Sequence, residues 1–207
     1  MTKSKLEDVV RVHLESFHGF FLTFLGESFL EVYYKGVIES RDSIKLVCTI
    51  DNAVVGFVTG SPNPSYFYSS MIRKYWLELC CASMSPLIRR PTTMIRLLQT
   101  LMRSSSKPED PEVAELSSLC VLPDFQNRGL GQQLVSAFLA KVRDGNGKAV
   151  YLTTDAEVND SVNNFYQNLG FTIKESFKAP GKRQMNLYWL DLRTDRGSIP
   201  FNACEHP

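Results

Sequence analysis

The stretch whose residues could do chemistry runs from Val121 to Gly131, with the sequence Val-Leu-Pro-Asp-Phe-Gln-Asn-Arg-Gly-Leu-Gly. It follows a short apolar run and precedes apolar residues at helical spacing, so the pattern predicts a strand, a loop and a helix. Backbone N–H groups at a helix N-terminus attract anions. Because Gly129 and Gly131 let the backbone turn sharply and approach a ligand closely, the stretch is a candidate phosphate-binding loop.

This loop matches neither of the two common phosphate-binding fingerprints. It has no Gly-Lys-Ser/Thr, and the glycine triplet of a dinucleotide-binding loop is incomplete. The order of its residues instead resembles the coenzyme A signature of the GNAT N-acetyltransferases, Q/R-x-x-G-x-G/A, at Gln126, Gly129 and Gly131. Val121 and Pro123 match the Val-x-Pro that commonly precedes this signature.

A second stretch, from Asn159 to Phe171, resembles a later motif of the same family, N-x-x-A/S-x-x-F/L-Y-x-x-x-G-F. One position departs, since Val162 stands where the family usually has a small residue. The resemblance covers about residues 112–192 well and the rest in outline. It implies an α/β fold with a GNAT-like mixed, mostly antiparallel central sheet flanked by helices. A splay between the family's fourth and fifth strands would admit the coenzyme.

The resemblance also implies acetyl-CoA as the cosubstrate, with no metal. The pyrophosphate would lie on the loop, bound by Gln126 and by the backbone amides of Asn127, Arg128, Gly129, Leu130, Gly131 and Gln132. The pantetheine arm would pair with the main chain of Leu119 and Val121 as an added strand, with the Val121 N–H facing the thioester oxygen. Asn159 would bind the coenzyme arm, and an N-cap of the next helix is its alternative role.

Two residues are the candidate acid and base that the resemblance implies. Tyr166 matches the family's tyrosine that protonates the leaving thiolate, and Glu115 has the spacing to Val121 of a glutamate base in histone-type members. Asp155 is a second candidate base. His13 and His18 lie where the family forms its acceptor wall, although a lone histidine is more often structural.

The composition is that of an ordinary globular protein, with 43% hydrophobic residues, 22% charged residues and a net charge of +1 over 207 residues. This charge gives no reason to expect nucleic acid or a membrane surface as a partner. No apolar run is long enough to span a bilayer, and the N-terminus has no signal-peptide pattern, so a cytoplasmic location is expected.

The five cysteines form no metal-binding pattern. Cys80 and Cys81 are adjacent, and no C-x-x-C occurs, so a zinc site is not expected and reduced core cysteines are. Cys120 is chemically able to act as a nucleophile, but it has no histidine near it in the sequence and is interpreted as a packing residue.

The chain as a whole is predicted to form one GNAT-like domain over residues 1–193, followed by a C-terminal tail over residues 194–207. Only about three residues precede the first helix, at Ser4, so the family's first strand is short or missing. A hairpin is predicted over residues 43–59. Residues 61–111 are predicted to be a helical insertion, with helices over residues 66–83 and 93–102 separated by Pro86 and Pro91.

The predicted function is direct transfer of an acetyl group from acetyl-CoA to a primary amine of a small molecule, with an amino sugar or a sugar nucleotide as examples. A protein N-terminus or lysine is the alternative acceptor, and a non-catalytic acyl-CoA-binding or interaction module is the alternative from another class. Apolar residues of the insertion would pack beside the acceptor site or form a homodimer: Met71, Tyr75, Trp76, Leu79, Met94, Leu97, Leu98 and Met102. Basic residues at its rim would attract an anionic acceptor: Arg73, Lys74, Arg89, Arg90 and Arg96.

Overall fold

A computed structural model describes residues 1–17, 23, 25–89, 110, 112–179 and 183–193, without the side chains of residues 84–89. The helices are α1 (Leu6–Ser16), α2 (Glu27–Glu39), α3 (Pro64–Arg89), α4 (Leu130–Asp144) and α5 (Asp160–Asn168). The strands are β1 (Ile44–Ile50), β2 (Ala53–Ser61), β3 (Val113–Val121), β4 (Ala149–Asp155), β5 (Thr172–Lys178) and β6 (Gln184–Asp191). Residues Lys3–Lys5 form a 3-10 turn that leads directly into α1.

The strands form one six-stranded sheet in the order β1-β2-β3-β4-β6-β5. Every neighbouring pair is antiparallel except β3 and β4, which are parallel. The predicted mixed, mostly antiparallel sheet is therefore confirmed. No helix in the described ranges has the length and apolar character needed to cross a membrane.

The parallel strands β3 and β4 separate soon after they begin. They pair only from Val113 opposite Ala149 to Glu115 opposite Tyr151. Beyond this point β3 continues to Val121 and β4 to Asp155, but no further residues of the two strands pair. The sheet therefore has a gap at the carboxyl ends of its two central strands.

Helices cover both faces of the sheet, as two neighbouring residues of β2 show. The ring of Phe57 packs edge-on against Tyr34 of α2, with centroids 5.3 Å apart. A Cβ on Gly56 would point to the other face, 3.3 Å from Leu134 of α4. Because side chains alternate along a strand, α2 and α4 lie on opposite faces.

Helix α3 is longer than predicted, because it runs through Pro86 to Arg89. The prediction that Pro86 interrupts it was wrong. A proline removes one intrahelical hydrogen bond, and here it lies near the end of a helix whose earlier turns are fixed in the core by Phe67 and Met71. The second predicted helix, over residues 93–102, and the tail over residues 194–207 lie outside the described residues.

Over residues 64–83, whose side chains are described, only one face of α3 is buried. Phe67, Met71 and Tyr75 are at most 8% exposed, at the spacing of a single helical stripe. Trp76, which was expected to pack beside the acceptor site or in a homodimer, is 54% exposed in the single chain. Adjacent helical residues point about 100° apart, so Tyr75 and Trp76 cannot share one face. Self-association through this helix stays a prediction.

Candidate active site

The loop after β3 presents a row of backbone amides without protein partners. It passes through a 3-10 turn, Pro123–Phe125, and reaches α4 at Gly129, which has a φ of +79°. Asn127 is also left-handed, with a φ of +58°. Gln133 donates its amide to the carbonyl of Gly129 at 3.0 Å, and none of the described residues accepts a hydrogen bond from the amides of residues 127–132. These amides are therefore free to bind an anion at the N-terminus of α4.

Two side chains of this loop brace it. Gln126 donates from Nε2 to the carbonyl of Val121 at 3.0 Å. Arg128 donates from Nη2 to the carbonyl of Asp124 at 2.9 Å, with its guanidinium 5.2 Å from the centre of the Phe125 ring. Both side chains hold the loop in shape, so the backbone amides are its main anion-binding groups.

The main chain of β3 is open on the side of the gap. Leu122 donates its amide to Val55 of β2 at 2.9 Å. Hydrogen-bonding directions alternate along a strand, so the main-chain groups of Leu119 and Val121 point away from β2 and toward the gap. The Val121 carbonyl there accepts hydrogen bonds from Gln126 and, at 3.3 Å, from Oγ of Ser16. An extended ligand could therefore pair with this edge.

Tyr166 of α5 is buried beside this gap, and its ring lies against Phe171 and Tyr188 with centroids 5.7 and 6.0 Å away. Its neighbour Phe165 lies 3.4 Å from where a Cβ on Gly131 would be, so α5 packs against the start of α4. Burial raises the pKa of Tyr166 well above its ordinary value, and the nearby Cys120 adds to this effect. The phenol therefore keeps its proton at neutral pH.

Cys120 and His13 are buried and lack the properties of catalytic groups. Burial raises the pKa of the Cys120 thiol well above its ordinary value, so it stays a protonated packing residue. Burial lowers the pKa of His13 to about 4. Its Nδ1 is hydrogen-bonded to the hydroxyl of Tyr34 at 2.7 Å, a contact that joins α1 to α2. His18 lies outside the described residues.

Asn159 occupies the N-cap position of α5, but its side chain makes no capping hydrogen bond. Its Nδ2 instead donates to Oγ1 of Thr154 at 2.9 Å and to the carbonyl of Asp155 at 3.1 Å. The carboxylate of Asp155 accepts two hydrogen bonds from Arg183, at 2.9 and 2.5 Å. An ion-paired carboxylate is a weak candidate for a general base, so the geometry favours Glu115 over Asp155.

Glu115 lies where the pairing of β3 and β4 ends, and it is 5% exposed. Three tyrosines surround it, which we call the tyrosine cluster: Tyr33 of α2, Tyr68 of α3 and Tyr151 of β4. Burial raises the pKa of each phenol, and the negative charge of Glu115 raises it further. The carboxylate therefore faces hydroxyl groups that keep their protons.

Tyr68 links helix α3 to the strand that carries Glu115. Its hydroxyl lies 3.1 Å from Oγ of Ser117, two residues beyond Glu115 on β3. Sequence reasoning missed the tyrosine cluster, because its members lie far from Glu115 in the sequence. The available signal was chemical, since a tyrosine in a buried stretch usually needs a hydrogen-bond partner.

The chain belongs to the acetyltransferase (GNAT) family, whose family model matches residues 8–171. An uncharacterised N-acetyltransferase of Methanocaldococcus jannaschii is 24% identical over 180 residues, which are 86% of this chain. The chain spans 62% of the length of that relative.

Solved structures share the fold. A putative GNAT-family acetyltransferase from Desulfovibrio desulfuricans superposes with a TM-score of 0.58 at 15% identity, covering 91% of this chain and 93% of that one. The ribosomal-protein-S18-alanine N-acetyltransferase of Escherichia coli gives 0.58 at 12% identity, covering 92% and 90%. The PaiA N-acetyltransferase of Thermoplasma acidophilum, solved in complex with coenzyme A, gives 0.52 at 12% identity, covering 92% and 95%. The expected GNAT-like fold is confirmed.

Proposed function

We propose that this protein is an acyl-CoA-dependent N-acetyltransferase that moves an acetyl group from acetyl-CoA directly to a primary amine of a small molecule. The observation that carries the proposal is the row of unpartnered amides at residues 127–132, beside the open edge of β3. A pyrophosphate needs several hydrogen-bond donors and no bulky neighbouring side chain. These amides supply the donors at the positive end of a helix dipole, and the two glycines of the loop leave the space.

The coenzyme would extend from this loop into the gap between β3 and β4. The pantetheine arm pairs with the main chain of Leu119 and Val121, and Asn159 borders it from the start of α5. Leu119 lies about 13 Å along the strand from Glu115 and Val121 about 20 Å. Leu119 is therefore the better placed of the two to donate its amide to the thioester oxygen, and Val121 to the pantetheine arm.

The reaction follows from the order of groups along the gap. Glu115 takes a proton from the acceptor nitrogen through intervening water, and this nitrogen forms a bond to the carbonyl carbon of the thioester. The tetrahedral oxyanion is stabilised by the strand amide. The carbon–sulfur bond then breaks, and Tyr166 gives its proton to the leaving thiolate. Glu115 and Tyr166 return to their starting states by exchanging protons with water.

The enclosure of Glu115 favours a small acceptor. Its carboxylate lies under α2 and α3 and is almost wholly buried, which suits a compact amine better than a folded protein surface. The expected attraction for an anionic acceptor has weaker support, because Lys74 is paired with Glu39 at 2.8 Å. An amino sugar is therefore preferred to a sugar nucleotide.

Turnover tests this function. The purified protein is mixed with acetyl-CoA and a panel of amines that includes glucosamine, a polyamine, free amino acids and peptides, and thiol release is followed. We expect turnover with a small amine and its loss in Glu115→Gln, with acetyl-CoA affinity retained. Preference for peptides would instead identify a protein acetyltransferase. Coenzyme binding without turnover on any amine would indicate an acyl-CoA-binding module.

A further inference from the structure

One buried side chain, that of Asn163, ties the start of α5 to the end of β4. We propose that Asn163 is a positioning residue: it holds the turn from which Asn159 offers its side-chain oxygen to an amide N–H of the coenzyme arm. This inference rests on the proposed function, in which Asn159 borders that arm. Asn163 acts through Asn159 and makes no contact of its own with the coenzyme.

The side chain of Asn163 uses all of its hydrogen-bonding groups within the protein, and it is 7% exposed. Its Nδ2 donates to the carbonyl of Asp155 at 3.0 Å and to the carbonyl of Asn159 at 2.9 Å. Its Oδ1 accepts from the hydroxyl of Tyr188 at 2.9 Å and from Nδ2 of Asn186 at 3.3 Å. Because carbonyl oxygens can only accept, the amide has a single orientation in which all four bonds form.

The two groups that hold the oxygen of Asn163 belong to the sheet. Tyr188 and Asn186 lie on β6 and are 0% and 6% exposed. Asn186 is itself fixed, since its Oδ1 accepts from Oγ of Ser176 on β5 at 2.7 Å. The start of α5 is therefore held against three strands, which makes it a rigid support for a binding group.

The orientation of Asn159 leaves its side-chain oxygen for a ligand. Its Nδ2 donates to Oγ1 of Thr154 and to the carbonyl of Asp155, the same carbonyl that Asn163 binds. The nitrogen of this amide therefore faces β4, and no residue in the described part of the chain donates to the oxygen. The pantetheine arm carries amide N–H groups, which are the donors that such an oxygen binds.

Asn186 gives a matched control for Asn163. The two side chains are about equally buried and belong to the same network. Asn186→Ala removes one bond to the oxygen of Asn163, which keeps the bond from Tyr188, and it leaves both bonds that Asn163 donates to the turn. Asn163→Ala removes the donated bonds themselves.

The decisive measurement is a double-mutant cycle on the full chain, in which calorimetry gives the Kd of acetyl-CoA without any acceptor. Asn159→Ala removes the proposed contact with the coenzyme arm and should raise Kd about 10-fold. Asn163→Ala should raise it by about 3-fold or more, and Asn186→Ala by less than about 2-fold. Because Asn163 acts through Asn159, the double variant Asn159→Ala/Asn163→Ala should bind no more weakly than Asn159→Ala alone.

Urea unfolding checks that each variant is folded under the conditions of the calorimetry. If Asn163→Ala does not fold, Asn163→Ser takes its place in the cycle. A serine hydroxyl in a helix can donate to the carbonyl four residues earlier, here that of Asn159, but it is too short to keep the bond to Asp155. The tie to β4 is still lost, and the same coupling with Asn159→Ala is expected.

A double variant that binds about 30-fold more weakly than wild type, the product of the two single effects, would overturn the inference. Wild-type affinity in Asn163→Ala would also overturn it. Wild-type affinity in Asn159→Ala would show that Asn159 does not bind the arm, which overturns the inference and leaves the proposed function standing. A wild-type chain that does not bind acetyl-CoA would overturn the proposed function, and this inference with it.

Discussion

Burial decides which individual side chains of this site can exchange protons. Tyr166 and Tyr68 are phenols whose pKa values are raised by burial, and His13 is an imidazole whose pKa burial lowers to about 4. All three are uncharged at neutral pH. Tyr166, which keeps its proton, can therefore act as the proton donor in the proposed reaction, whereas the buried, neutral His13 has a structural role.

Tyr166→Phe should lower kcat by about 100-fold while acetyl-CoA affinity changes little. The ring is retained and only the proposed acid is lost, so the effect should fall on the chemical step. Steady-state kinetics and calorimetry measure the two quantities. Tyr188→Phe is the control, because its ring lies 6.0 Å from Tyr166 but its hydroxyl donates to Asn163. A kcat in Tyr166→Phe equal to that of the control would remove Tyr166 from the mechanism.

His13 should make the protein less stable in mild acid. Its pKa is about 4 in the folded chain and 6.5 in the unfolded chain, so the unfolded state binds more protons in between. The stabilisation that comes from keeping His13 neutral in the folded chain is fully present above pH 6.5 and is lost as the pH falls toward 4. It should amount to about 3 kcal/mol.

Urea unfolding of wild type and His13→Gln across this range measures the contribution. The variant is expected to lose less stability on acidification than wild type does, since carboxyl titrations are common to both proteins. Parallel stability curves would contradict the pKa of His13.

At the scale of secondary-structure elements, the close approach of β2 to β3 sets the position of Glu115. A Cβ on Gly60 would lie 2.0 Å from the carbonyl oxygen of Glu115 and 2.7 Å from the ring of Phe138. The register between the two strands shifts between Thr59 and Gly60, which marks a β-bulge. Because Gly60 has no side chain, β2 can pass between β3 and α4 at this point.

Gly60→Ala should destabilise the fold by about 3 kcal/mol or more, because a strand carbonyl cannot move aside as a flexible side chain can. Gly145→Ala at the end of α4 is the control, with its nearest contact at 3.6 Å. It should change the free energy of unfolding by less than about 0.5 kcal/mol. Urea denaturation at neutral pH compares them, and equal stability of the two variants would show that β2 and β3 can separate without cost.

For the molecule as a whole, the gap between β3 and β4 predicts that the coenzyme stabilises the fold. A ligand that binds only the folded state at 100 times its dissociation constant adds about 2.7 kcal/mol. For a chain of this size the melting temperature should rise by about 5–11 °C. Thermal unfolding with and without acetyl-CoA measures this rise.

Gly131→Glu should abolish the thermal shift and the calorimetric binding. Its new Cβ would meet Phe165 at 3.4 Å, an ordinary contact, and a carboxylate at the N-terminus of α4 suits the helix dipole. The loss would therefore come from repulsion of the pyrophosphate. Gly145→Glu, at the other end of α4, should keep wild-type affinity. Normal binding by Gly131→Glu would rule out the loop as the pyrophosphate site.

The sequence by itself determined the local features. Alternation and helical spacing predicted the hairpin, the strand before the loop and the helix after it, and these are present. Glycine and asparagine favour left-handed backbone: Gly170 after α5 has a φ of +85°, and Asn52 in the hairpin turn has a φ of +64°. Such features depend on dihedral preferences within a few residues, which the sequence encodes directly.

Only the tertiary structure decided what surrounds each candidate group. It joined Asp155 to Arg183, placed Tyr68 against Ser117 of β3, and left Trp76 on the outer face of α3. These contacts join residues far apart in the chain, or depend on which face of a helix meets the core. They are set by how whole elements pack together, so a sequence without the packed fold gives the residue types but not their partners.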